Sequence, residues 1–320
     1  MTQFLIRRLL LMLPTAFGGI LLIFFLFRVI PGDPVLMMMG GGDGGGINRE
    51  AYDKLRAELR LDRPVYVQFG LWLGDALQGD LGTSYRTGHK TLDEISLRLP
   101  TTLTLMAMAL STTIIFSIPM GIVSALKQDT PIDYVLRVLS LSALSMPSFW
   151  LGLLIILLLI TVWQWFPPIT YTSPFADPWV SLQQLALPAL VLGSRPIGVA
   201  MRVLRSSLLE ELRSDYTRTA YAKGLNQRVV VWRHVVPNSF LPTLTFFGLE
   251  AAGLIGGSVI VESLFNVPGI GQLAIAALQN RDFPITQGIL LLVLGFVMMI
   301  NLFVDVMYGV IDPRIRYERS

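Results

Sequence analysis

Apolar runs of about 20 residues, the length that crosses a bilayer, recur along the chain. They extend from Leu9 to Ile30, Thr101 to Leu126, Val135 to Trp165, Leu185 to Leu204, Phe240 to Phe265 and Ile285 to Ile311. The pattern predicts an all-α polytopic membrane protein with six transmembrane helices and both chain ends on one side of the membrane. The first run follows Arg7 and Arg8 and continues past signal-peptide length with no small-residue cleavage site, so it is read as a retained helix. The chain accordingly divides into a cytoplasmic segment with the first helix (1–30), an external loop (31–100) and a core of five helices (101–320).

Lysine and arginine in the short polar segments set the orientation. Arg7 and Arg8, Lys127 and Arg137, seven basic residues between Arg202 and Arg233, and Arg314, Arg316 and Arg319 mark one side, whereas the segment between Phe166 and Ser181 holds none. Positive charge concentrates on the cytoplasmic face, so both ends are expected there. The long loop from Pro31 to Pro100 carries eight basic and ten acidic residues, and loops of that length cross regardless of charge. Within it, GGGDGGG at Gly40 to Gly46 has no side chains to pack and reads as a tether. A short surface helix is predicted after it, with Asn48 at its cap, Tyr52, Leu55 and Leu59 on one face, and Pro64 beyond its end.

The composition agrees: 53% of the 320 residues are hydrophobic and 15% charged, with a mean hydropathy of +0.60. The net charge of +3 arises from residues beside apolar runs, so it argues for membrane topology and against nucleic acid. Cysteine is absent, and the two histidines, His89 and His234, fall on opposite sides of the bilayer. No metal site and no catalytic residue is assigned. HExxH is missing, and no glycine-rich loop ends in Lys-Ser or Lys-Thr, so neither zinc proteolysis nor ATP hydrolysis belongs to this chain.

The polar segment from 205 to 239 is the most informative. Ser214 or Asp215 at an N-cap, Lys223 in the last turn and Gly224 at a left-handed C′ position predict a self-contained helix. Leu225 to Val236 is expected to form a second helix, bounded by Pro237. Positive charge alone accounts for such a loop by the orientation rule, while the capped helix and its aromatics Tyr216 and Tyr221 suit a protein-docking knob.

Arg195 lies about ten residues into the fourth apolar run and Glu250 about ten into the fifth, from opposite sides, so at about 1.5 Å per residue both sit roughly 15 Å deep. A lone charge there costs about 2.5–3.5 kcal/mol. Either the two bond their helices together or are neutralised elsewhere in the bundle, or they line a translocation cavity and meet the charged ends of a zwitterionic solute. Glu262 and Asp305 fall near the interfaces and read as anchors. Gly253, Gly256 and Gly257 make one face of the fifth helix small, for packing within the chain or against a partner. Pro119, Pro147, Pro188 and Pro196 are expected to interrupt and bend the second to fourth spans.

A series of ordered motifs carries a resemblance. These are FLIRRLLLMLPT at the start, PGDP at Pro31, LRLDRPVYVQF at Leu59, GDLGTS at Gly79, LSMPSFWLG at Leu144 and LPALVLG at Leu187. They continue with RSSLLEELRSDYTRTAYAKGL at Arg205, GGSVIVESLFNVPGIGQL at Gly256, RDFPITQG at Arg281 and DPRIRY at Asp312. Over essentially its whole length the chain resembles the membrane-spanning subunit of a binding-protein-dependent ABC importer, in the dipeptide, oligopeptide, glutathione and nickel group.

The resemblance implies the type I ABC importer permease fold in a bacterial inner membrane. It makes the helix of Asp215, Tyr216, Thr217, Arg218, Thr219, Ala220, Tyr221, Ala222, Lys223 and Gly224 the coupling helix that fits a groove on an ATP-binding subunit. Tyr221 stands where such relatives usually carry a basic residue, and Glu250 where they often carry a neutral amide. The implied partners are a second homologous permease, two ATP-binding subunits holding ATP and Mg, an extracytoplasmic solute-binding protein and membrane lipid; no cofactor is expected on this chain. Di- or oligopeptides are the first expectation for cargo, with glutathione, a nickel chelate or another small solute behind. An ion-coupled secondary transporter is the rival class, but no inverted repeat supports it and it gives the docking knob no task.

Overall fold

The computed structural model describes residues 2–29, 35, 36, 39, 49–168 and 170–311. The glycine tether, PGDP, Asn48 and DPRIRY lie outside them. The regular secondary structure of the described residues is helical apart from an isolated bridge between Thr83 and Lys90, with turns and irregular segments joining the helices. In chain order the helices are α1 (Thr2–Val29), α2 (Arg49–Glu58), α3 (Val65–Leu77), α4 (Thr91–Leu126), α5 (Pro131–Ser145) and α6 (Ser148–Trp163). They continue with α7 (Pro178–Leu212), α8 (Asp215–Ala222), α9 (Gln227–Val230), a π turn (Val231–Val235), α10 (Val236–Leu264), α11 (Ile270–Gln279) and α12 (Phe283–Ile311). Five helical stretches are long and apolar enough to span a membrane, and six if α5 and α6 together count as one.

The third span is broken at Pro147, as expected. Met146 is extended (φ −93°, ψ 124°) ahead of Pro147, and α5 and α6 meet at 106°. The residue before a proline is driven out of the α region by the ring, which places the break here. Pro119, Pro188 and Pro196 do not interrupt their spans as expected: each sits inside a continuous helix. The second helix of the polar loop is also corrected. Pro237 does not end it, because α9, the π turn and α10 run on as one stretch from Gln227 to Leu264. In the π turn the Val236 N–H reaches back five residues to the Val231 carbonyl, and this wider turn relieves the clash a proline ring makes with the carbonyl four residues before it.

The chain forms two compact units. One comprises Met1–Phe4, Pro100–Gln272 and Met299–Ser320. Its centre is α7, started by Pro178 at the first helical position and by Asp177, whose carboxylate accepts the Trp179 and Val180 N–H groups at 3.0 and 3.1 Å. Thirteen α7 residues are buried, and its glycines admit neighbours closely. A Cβ at Gly193 would stand 2.8 Å from the Ala109 carbonyl of α4, and one at Gly198 2.6 Å from the Ser140 carbonyl of α5. The Ser140 hydroxyl donates to the Gly198 carbonyl at 2.7 Å. Small residues and hydroxyls serve where apolar solvent supplies no drive for helices to associate.

The other unit comprises Leu5–Leu99 and Leu273–Met298. Tyr52 and Leu55 on α2, with Leu59 in the turn that follows it, are half-buried, as their spacing predicts. Two distant motifs meet here: the Ser84 hydroxyl of GDLGTS donates to the Asp282 carboxylate of RDFPITQG, which also accepts the Tyr85 N–H at 3.2 Å. Gly288 of the same motif packs beneath Thr91 and Ile95.

Candidate functional site

α8 has the two ends its sequence predicts, made in unequal ways. At the C-terminus Gly224 takes φ +79°, the Leu225 N–H donates to the Ala220 carbonyl at 3.3 Å and the Gly224 N–H to the Tyr221 carbonyl at 2.9 Å. This pair of bonds is a Schellman cap. At the N-terminus Ser214 occupies the cap position, yet its hydroxyl donates to the Glu211 carbonyl at 2.6 Å instead of accepting from the helix. The Thr217 hydroxyl donates to that same carbonyl at 2.8 Å, so the start of α8 is tied to the end of α7.

Only Thr217 and Ala220 of α8 are buried. Ala220 packs with Ile122 and Ala125 of α4, Leu204 and Leu208 of α7, and Val230 and Val235. The remaining α8 side chains face outward. Tyr216 is restrained, since its hydroxyl donates to the Glu211 carboxylate and accepts from the Asn238 amide at 3.2 Å. The Tyr221 hydroxyl has no hydrogen-bond partner among the described residues, and the ring is 40% exposed. Arg218 and Asp215 lie 3.7 Å apart with exposed heads, an arrangement that contributes little to stability.

A carboxylate that the sequence did not single out joins α4, α5 and α7. Asp133 in the first turn of α5 is fully buried and accepts from Arg205 Nε and NH2 of α7 at 3.0 and 2.8 Å, from the Ser124 hydroxyl of α4 and from the Asp129 N–H at 3.1 Å. Arg137 stands 3.5 Å away. Three helices therefore share one charge. Arg205 is 72 residues from Asp133, and no local pattern announces the pair.

Arg195 is at the middle of α7, 17 residues from each end, and Glu250 at the middle of α10, 14 from each end. They are electrostatic neighbours without a direct ion pair among the described residues. Arg195 is exposed and Glu250 half-buried. On the same stretch of α10, a Cβ at Gly253 or Gly256 would meet nothing within 4 Å, whereas one at Gly257 would lie 3.0 Å from Leu192 of α7. Gly257 thus packs within the chain, and Gly253 and Gly256 leave a notch that the described residues do not fill.

Glu262 is not the interfacial anchor its position suggested. It is fully buried and accepts from the Thr102 hydroxyl at 2.8 Å and from the Gly271 and Gln272 N–H groups at 2.6 and 3.2 Å. It holds the first turn of α11, where free N–H groups favour a carboxylate. Gly269 and Gly271 are required around it, since a Cβ at either would come 2.4 Å from Glu262 or from the Val259 backbone.

Membrane-length helices, charges at mid-helix and a small capped helix standing on the core define the build of a transport subunit. The chain belongs to the family of inner membrane components of binding-protein-dependent transport systems, whose model matches residues 117–317, with the N-terminal model of the same components matching 1–106. It is a translocation subunit of the type I ABC importer permease fold and not an enzyme. It is 37% identical over 337 residues to the dipeptide transport system permease protein DppB of Alkalihalophilus pseudofirmus, covering 99% of this chain and 100% of the relative. It is 37% identical over 345 residues to the protein of the same name in Escherichia coli, and 39% over 342 to the di/tripeptide transport system permease protein DppB of Pseudomonas aeruginosa, each covering both chains completely.

Proposed function

We propose that this permease forms half of the pathway for di- or oligopeptides, delivered by an extracytoplasmic binding protein and driven by two ATP-binding subunits, with a second, similar permease completing the channel. The names of the full-length relatives support the cargo. The observation that carries the coupling role is the seating of α8: outward on most positions, stiffened by its cap, and in contact through Ala220 with the ends of α4 and α7. A push on α8 would reach both long helices through that contact. Both chain ends lie in the cytoplasm on this reading, with ATP and Mg held by the partners. Arg195 and Glu250, opposite in charge and on a face left open by this chain, suit the two ends of a zwitterion.

The test is uptake of a labelled dipeptide by the complete importer in proteoliposomes. Ala222→Cys, in a chain without native cysteine, should cross-link to an ATP-binding subunit, and Arg195→Gln and Glu250→Gln should each lower uptake while leaving the complex intact. Absence of any cross-link along α8 would overturn the coupling role, and wild-type uptake and selectivity in both variants would remove the cavity role.

A further inference from the structure

A cavity of about 450 Å³ opens between α5 and α7, lined by Tyr134, Arg137, Val138 and Leu141 on one helix and Arg202 and Arg205 on the other. Three guanidinium groups face it, and among the described residues the only carboxylate bonded to any of them is Asp133. Arg205 commits two N–H donors to that acid and Arg137 approaches it at 3.5 Å, while Arg202 has no hydrogen bond or ion pair among the described residues. One carboxylate cannot balance three guanidiniums, so the cavity is cationic.

Its depth is set by α7. Trp179, exposed at the start of that helix, is the kind of residue that marks a membrane interface. Arg202 and Arg205 follow it by 23 and 26 residues, or roughly 35 and 39 Å at about 1.5 Å per residue. That exceeds the hydrocarbon thickness of about 30 Å and puts the guanidiniums at the level of the opposite lipid headgroups. The wall then turns apolar, with Val138 and Leu141 exposed on α5 one turn and two turns beyond Tyr134. The Arg137 guanidinium lies 4.5 Å over the Tyr134 ring, which fixes it at the rim.

We propose that this cavity holds an anionic phospholipid, its phosphate between Arg137 and Arg202 and an acyl chain along Val138 and Leu141. Basic pockets between membrane helices on the cytoplasmic side take such headgroups, and on the orientation proposed above this is the cytoplasmic leaflet. The lipid would supply the counter-charge that Asp133 alone does not, beside the joint of α4, α5 and α7.

The test uses the complete importer in nanodiscs of phosphatidylcholine with or without phosphatidylglycerol, with native mass spectrometry counting retained lipid. Arg137→Gln with Arg202→Gln leaves the Asp133–Arg205 pair in place and should cut retained phosphatidylglycerol on the order of tenfold, given the contribution of each basic residue near an anionic surface. Arg218→Gln with Arg228→Gln, which removes equal charge elsewhere, should not. Should the first pair fail to assemble, Arg202→Gln alone, which loses no partner among the described residues, carries the same comparison. Equal retention by wild type and variant would overturn the site. So would a rise in melting temperature with inorganic phosphate in phosphatidylcholine discs as large as that with phosphatidylglycerol, or a cross-link from Tyr134→Cys to a neighbouring subunit, which would show protein covering the cavity.

Discussion

Asp133 and Glu262 each hold separate helices with one carboxylate, and each depends on residues far away in sequence. Asp133→Asn would leave Arg205 and Arg137 without a counter-charge. Breaking a buried pair costs about 3–5 kcal/mol; Arg137 keeps access to water, being 37% exposed, so a loss on the order of 2–3 kcal/mol is expected. A thermal-shift measurement on the purified complex should register it as a fall of roughly 5–10 °C. At this scale the sequence was a partial guide. The depth of Arg195 and Glu250 follows from counting residues along apolar runs, and both lie at mid-helix. Glu262 was misjudged because depth along a helix says nothing about what folds back over its end; the turn through Gly269 and Gly271 buries it. Asp133 carries no local signal, because its partner Arg205 lies 72 residues away on another helix.

Among the elements, α8 was legible because its signals are local. A glycine in the left-handed region and a short run between polar ends suffice to bound a helix. The prediction that follows concerns the cap itself. Gly224→Val would place a β-branched residue at φ +79° with nothing within 4 Å to obstruct its Cβ, so the penalty is backbone conformation alone, about 1–2 kcal/mol. Uptake by the reconstituted importer should fall several-fold with assembly unchanged, and Gly224→Asn, which tolerates that conformation, should retain most of it. The prolines were less readable. Pro147 breaks the third span, where α5 and α6 diverge, while Pro188 and Pro196 are absorbed within α7. Proline specifies a missing donor and a steric demand, and whether the helix breaks or adjusts is decided by packing.

For the molecule as a whole, the open notch at Gly253 and Gly256 separates folding from assembly. Gly193→Leu would drive a side chain into the Ala109 carbonyl and should abolish accumulation of the chain. A Cβ at Gly253 meets nothing within 4 Å among the described residues, so with Gly253→Leu the subunit should accumulate normally and fail only when co-expressed with its partners, as read by the yield of intact complex in size-exclusion chromatography. Normal complex yield from Gly253→Leu would mean that the notch faces lipid or solvent. The all-helical class and the membrane spans were evident from hydropathy, whereas the division between inward and outward glycines was not, because GxxxG spacing gives a face and no neighbour.

The economy of the α8 seat has a further consequence. Thr217 and Ala220 are the buried residues of this helix and Tyr216 adds hydrogen bonds to Glu211 and Asn238, so the other positions looking outward can diverge with little effect on the bundle beneath. If α8 docks on an ATP-binding subunit as proposed, a permease built in this way could change motors by rewriting a handful of surface letters, and Tyr221 is the first place to look for such a change of allegiance.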